Sequence, residues 1–184
     1  MKFLSGLKTK CENIKIDEFK LCIFIFMFCG ILGFYIEETY DILHNFKFDK
    51  NGFLYGLFLP IYGWGALLFH ILTKKTYKRP VLTFLIIMLS AILLEYTTGF
   101  MLLLIWNKRY WDYSSYFLNI NGYICLFSIL SFSILGMVYV YVLEPFIKTI
   151  MAKLGNIKVD KILKIFLIIY LIDNLFSFLI KNKF

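Results

Sequence analysis

Histidine is nearly absent from this 184-residue chain, with His44 and His70 as the only two. Histidine-based hydrolysis on one side of the molecule would therefore rest on His44 alone. The four cysteines, Cys11, Cys22, Cys29 and Cys125, form no Cys-x-x-Cys pair. They read as free thiols, with no disulfide framework and no zinc site. No Gly-x-x-x-x-Gly-Lys-[Ser/Thr] phosphate loop is present, so the chain is not itself an ATPase. Gly-x-Ser-x-Gly and His-Glu-x-x-His are missing too, and nothing calls for a cofactor. Charged residues are scarce, at 17%. Although the net charge is +8, the basic residues lie between apolar runs and build no patch on a soluble domain, which excludes nucleic acid as a partner.

What fills the chain is apolar material, 60% of all residues. A soluble domain of this size does not need so much, and lipid is its natural solvent. The runs predict an all-α membrane bundle of about five helices: 19–40, 53–72, 81–106, 123–143 and 162–180. Each is long enough for a hydrocarbon core of roughly 30 Å at about 1.5 Å per residue. Residues 1–18 form a polar N-terminal tail, 19–180 one transmembrane domain and 181–184 a C-terminal tail. The first helix reads as uncleaved, because 33–41 offers large and acidic residues in place of a small-residue cleavage site. The segment 107–122 is too polar to span and too aromatic for a free loop, and it reads as an interfacial or re-entrant stretch.

Lysines and arginines number 5, 2, 4, 2, 5 and 2 in the six successive segments flanking the helices, the first counted through Lys20 and the fifth through Lys164. That alternation predicts a cytoplasmic N-terminus and an external C-terminus. In this topology Glu37, Glu38, Asp41, Asp49, Glu95, Asp112 and Asp173 belong to the outer half, and the inner half is strongly basic.

Carboxylates inside a membrane are costly and mark functional positions. Glu95 lies roughly 21 Å into the third helix, and Asp173 sits at a similar depth in the fifth. Thr97, Thr98 and Asn174 are the nearby candidates to satisfy them if both are packing residues. Together with Glu37 and Asp112 they are expected to converge on one polar cavity opening outward. Burial and mutual repulsion would keep a proton on at least one of them, Glu95 first. In the second helix, Pro60 cannot donate to the Gly56 carbonyl, so the half around Gly56 and Tyr62 is expected to be kinked or unwound. Its glycines serve close helix packing equally well. Gly33, Glu37, Tyr40, Asp41 and His44 share one face of the first helix. Asp41-x-x-His44 has a ligand spacing, but no matching His or Glu-x-x-His accompanies it, and no metal is expected.

Several motifs recur in a fixed order: Gly33-x-x-x-Glu37-x-x-Tyr40; Gly52-Phe53-Leu54-x-Gly56-x-x-x-Pro60-Ile61-Tyr62-Gly63-x-Gly65-Ala66; Glu95-Tyr96-x-Thr98-Gly99; Trp111-Asp112-Tyr113-Ser114; and Phe117-x-Asn119-x-Asn121-Gly122 with Ile124-Cys125-Leu126. On these the chain resembles the bacterial membrane family called ABC transporter type IV, or CmpB-like permeases, over about residues 25–140. It departs where the family often shows Asn-Arg-Gly, here Lys50-Asn51-Gly52, and Gly-Pro, here Gly56-Leu57. The resemblance implies a multi-pass protein of the bacterial cell (inner) membrane and a transport role. The ligand candidates are Glu37, Tyr40, Gly56, Pro60, Tyr62, Glu95, Thr98, Trp111, Asp112, Tyr113, Asn119, Asn121 and Asp173. A permease or permease accessory for a small molecule or lipid headgroup is the leading reading. It would draw energy from a separate ATPase subunit or an ion gradient. The alternatives are an intramembrane acid/base enzyme on lipid-linked substrates and a non-catalytic structural or regulatory subunit. The bilayer is the one certain partner, and a second copy of the chain is an open one.

Overall fold

The computed structural model describes residues 16–46 and 52–181, with the side chains of His44 and Asn45 outside the description. Most of the expected N-terminal tail, Cys11 included, lies outside the described residues. The described part is helical, with no β-strand and one isolated bridge between Ile120 and Ile124. The helices are α1 (Glu18–Asn45), α2 (Pro60–Thr73), α3 (Pro80–Trp106), α4 (Leu126–Val138) and α5 (Glu144–Lys181), with a π-helical turn, Tyr139–Leu143, joining α4 to α5. Cys22, Cys29 and Cys125 are free thiols.

Local chemistry sets the helix starts. Asp17 caps α1, its carboxylate accepting from Phe19 N at 2.9 Å and Lys20 N at 3.3 Å, and Glu18 adds favourable charge in the first turn. Pro80 opens α3, where its missing N–H costs nothing. Cys125 caps α4 in a capping box: its Sγ accepts from Ser128 N while Ser128 Oγ accepts from Cys125 N.

Three helical stretches are long and apolar enough to cross a membrane: Glu18–Leu43, Pro80–Trp106 and Leu126–Ile180. Their outer faces carry exposed Leu85, Leu89, Leu93, Ile168, Ile172 and Phe176, surface that water would penalise and lipid would not. This is a membrane protein.

Five separate membrane-length helices were expected, and the structure corrects this at two places. Residues 52–59 are not helical, and α2 begins at Pro60 with 14 residues. The proline therefore opens the helix instead of interrupting it. The connector expected over 144–161 is helical and makes α4 through α5 one 55-residue stretch. At about 1.5 Å per residue that is roughly 80 Å, far beyond one crossing. Gly155 divides it, with φ 73° and ψ 162° inside α5, a conformation that favours glycine.

The described residues form two compact units, those within 1–63 and 141–184 and those of 64–140. In the first, α1 packs on both arms of α5. Lys20 pairs with Asp160 at 2.6 Å, and Phe26 packs against Phe166 and Tyr170. α1 and the second arm of α5 therefore run parallel. Phe28 meets Phe146, while a small pocket brings Asp17 and Lys20 together with Met151 and Gly155. The first arm thus runs antiparallel to α1 and reverses at Gly155. In the second unit α3 packs on α4. The buried stripe of α3, Thr83, Ile87, Ser90, Ala91, Glu95 and Gly99, meets the small buried residues of α4, Ser128, Ser133 and Gly136, the kind of interface that lets helices approach without a water-driven effect.

Candidate functional site

In the first unit the non-helical segment 52–59 is locked to its neighbours. Backbone groups outside a helix have no water partner at membrane depth and must find protein ones. Leu59 N donates to the Gly30 carbonyl of α1 at 3.0 Å. Asp173 on α5 supplies the other acceptors: its Oδ1 accepts from Tyr55 N at 3.0 Å and its Oδ2 from Gly56 N at 2.9 Å. Ser177, fully buried one turn on, accepts from Tyr55 N at 3.1 Å and donates to Asp173 Oδ1 at 3.3 Å. Two successive backbone N–H groups thus cradle one carboxylate.

The α1 glycines make room for this segment. A side chain at Gly30 would run into the Phe58 ring, and one at Gly33 into the Tyr62 ring. One turn beyond, Tyr62 OH donates to Glu37 Oε1 at 2.5 Å. A Cβ at Gly56 would stand 2.7 Å from Asp173 Oδ2. Gly33, Glu37, Gly56, Pro60, Tyr62 and Asp173 therefore build one latch, with Pro60 at the point where helix resumes. Tyr40 is exposed further along α1, and Asp41 is half-buried.

In the second unit Glu95 is buried, and its Oε2 accepts from Ser128 Oγ at 2.9 Å. Ser128 is the third residue of α4, so the acid lies at the positive end of that helix. Thr97, expected as a partner for it, instead bonds the Leu93 carbonyl of its own helix at 2.6 Å. Thr98 is half-buried on α3.

Between α3 and α4 the chain folds into an ordered loop. Trp111 Nε1 donates to the Tyr123 carbonyl at 2.9 Å, and both rings pack over Gly99, where a Cβ would stand 3.0 to 3.1 Å from them. Asp112 accepts from Ser114 N at 2.9 Å and from Ser114 Oγ. Tyr113 N donates to the Gly122 carbonyl at 2.9 Å. Asn119 Nδ2 donates to the Ser114 and Tyr116 carbonyls, each at 3.0 Å. Asn121 Nδ2 donates to Tyr96 OH at 3.1 Å. Asn121 and Gly122 both have positive φ, 53° and 71°. Arg109 lies over the Tyr123 ring at 5.0 Å, donates to the Asn121 carbonyl at 3.0 Å and stands 3.5 Å from Asp112 Oδ1. The two bonds from Ser114, then the Arg109 charge, hold the Asp112 carboxyl below its usual range.

These residues border a shallow groove of about 580 Å³ lined by Tyr96, Arg109, Ser114, Asn119, Asn121 and Tyr123, among others. Its polar groups are held in place by the loop's own hydrogen bonds, and Arg109 brings the groove its cation.

The chain matches the family model described as Putative ABC-transporter type IV over residues 24–178. It belongs to this family. No curated protein and no solved structure matches the chain. The match carries the family beyond the motif region at 25–140 and takes in the Asp173 end of the latch.

Of the candidates read from sequence, Asn119 and Asn121 line the groove, while Trp111, Asp112 and Tyr113 shape the loop around it. Glu37, Tyr62, Gly56, Pro60 and Asp173 belong to the latch in the other unit. Arg109, Tyr96 and Tyr123 were missed as site residues. Arg109 follows Lys108 and reads as a topology marker at the head of the interfacial stretch, although its place two residues before Trp111-Asp112 is the available signal.

Proposed function

We propose that this family member is the membrane-embedded permease, or a permease accessory, of a transport system, and that the loop between α3 and α4 is its outer site for a small polar molecule or lipid headgroup. The observation that supports this reading best is the pre-formed groove around Arg109. It is built from Tyr96, Ser114, Asn119 and Asn121 by hydrogen bonds that leave the guanidinium oriented and still accessible. A loop that only joined two helices would not need so many cross-links. The alternation of basic residues along the chain assigns the loop to the outer face of the bacterial cell membrane. Since the chain carries no phosphate loop of its own, a separate ATPase subunit is the fitting source of energy. The latch in the other unit suits a broken-helix element that shifts during a transport cycle, because the backbone of 52–59 is tied to side chains and carbonyls of neighbouring elements and not to a helix of its own.

Mass spectrometry of ligand retained through purification, followed by flux in proteoliposomes, tests this. Retention of one small polar molecule or lipid that moves across the vesicle membrane supports it. Turnover of a lipid substrate in detergent without flux would replace it with the enzyme reading.

A further inference from the structure

Beside the groove the loop turns a run of apolar side chains outward. Phe117 is 75% exposed and Leu118 62%, with Tyr116, Ile120 and Phe127 exposed next to them. Leu118 sits at φ 51°, a backbone conformation that disfavours a leucine. The Asn119 bonds to the Ser114 and Tyr116 carbonyls, and the bond from Leu126 N to the Phe117 carbonyl at 3.3 Å, hold the backbone there. The rim is thus a fixed feature with an apolar face, directly against a polar groove.

The groove's one cation is unusually well aimed. Stacking on Tyr123 and the bond to the Asn121 carbonyl orient the Arg109 plane. One of its five N–H donors is used in that bond, so most of the fork remains for an acceptor that offers two oxygens side by side. Asp112 competes weakly: it stands 3.5 Å away, in an exposed pair, and its nearer oxygen already accepts twice from Ser114. The guanidinium, together with the Tyr96 hydroxyl and the second Nδ2 N–H of Asn121, suits a phosphate, while the rim suits hydrocarbon.

We infer that the Arg109 groove binds the phosphate of an amphiphile, a phospholipid or lipid-linked phosphate, with the acyl end against Phe117 and Leu118. This rests on the groove being the ligand site and names the class of ligand it takes.

Native mass spectrometry of the full chain in detergent, titrated separately with dihexanoyl phosphatidic acid, dihexanoyl phosphatidylcholine and glycerol 3-phosphate, tests it. Phosphatidic acid should bind at least tenfold more tightly than either of the others. Arg109→Gln should weaken it at least tenfold, and Arg109→Lys by less. Phe117→Ser should weaken the lipid without changing glycerol 3-phosphate. Asp112→Asn keeps the acceptor for Ser114 and removes the competing charge, so it should tighten phosphatidic acid a few-fold, a gain that misfolding cannot imitate. Equal binding of glycerol 3-phosphate and phosphatidic acid would overturn the inference in favour of a soluble phosphate ester, as would indifference to both Arg109→Gln and Asp112→Asn. If no phosphate compound binds but a neutral solute retained in purification is lost on Asn121→Ala, the groove stands as the site and its phosphate assignment fails.

Discussion

Removing the Asp173 carboxylate should open the latch, and the size of the effect follows from the bonds lost. In Asp173→Ala, Gly56 N loses its acceptor at 2.9 Å, while Tyr55 N loses one of two and keeps Ser177 at 3.1 Å. A polar group left without a partner where no water replaces it costs about 1–3 kcal/mol. One full loss and one partial loss sum to about 3 kcal/mol, or roughly 100-fold in the opening equilibrium. Asp173→Asn keeps one acceptor oxygen and turns an NH2 toward the other N–H, for about 1–2 kcal/mol. Cys29 provides the readout, because it is buried on α1 next to Gly30, whose carbonyl holds Leu59 N. With Cys11, Cys22 and Cys125 replaced by serine, the rate of Cys29 modification by a maleimide in detergent reports opening. The expected increases are about 100-fold for Asp173→Ala and about tenfold for Asp173→Asn. Gly56→Ala should also accelerate labelling, since its Cβ would stand 2.7 Å from Asp173 Oδ2. Its effect should shrink in the Asp173→Ala background, where that clash is gone. Labelling within twofold of the parent for Asp173→Ala would refute the latch.

Pro60→Ala should leave helix content and Cys29 labelling within about threefold of the parent, because Asp173 and Gly30 still hold 52–59 and alanine is tolerated at a helix start; circular dichroism with the same labelling assay checks it. Glu95→Gln retains an acceptor for Ser128 and should cost under about 1 kcal/mol, whereas Glu95→Lys buries a cation at the positive end of α4 and should cost about 3–5 kcal/mol, read from Cys125 labelling. Since the folded Asp112 carboxyl is held below its usual value, its contribution to the loop is complete above about pH 3.9 and is lost only as pH falls through the lower folded value. Trp111 fluorescence in a chain lacking Trp64 and Trp106 should therefore stay constant from pH 7 to about pH 4 and change below it, and Asp112→Asn should remove that transition.

The helices whose ends carry recognisable chemistry were legible in the sequence. α3 begins at Pro80 and ends at Trp106, as the apolar run and its proline suggest. α5 was not legible as drawn, because the four lysines over 148–161 read as a loop. Lysines also decorate the wet face of a helix, and only Gly155 marked the true break. The unwinding before Pro60 could be read, but its consequence could not. Asp173 meets Tyr55 and Gly56 across more than 100 residues, and no local pattern announces such a pairing. Glu95 was visible as an anomaly, while its partner Ser128 was hidden as an ordinary small residue in an apolar helix. The loop motifs were visible as polar and aromatic clusters. Their roles as turn-formers became clear only from the backbone groups they bind.

The central functional claim is that the loop between α3 and α4 is an outward-facing, ligand-binding groove. Ser115 is exposed in that loop and takes no part in the hydrogen bonds that shape it. Ser115→Cys in a chain otherwise free of cysteine can be challenged in intact bacterial cells with a membrane-impermeant maleimide, with Lys153→Cys as the counterpart near the Gly155 turn. The account predicts that Ser115→Cys is labelled in intact cells and protected by the ligand recovered in purification, and that Lys153→Cys is labelled only after permeabilisation. Labelling of Ser115→Cys only after permeabilisation, or labelling that the ligand leaves unchanged, would contradict it.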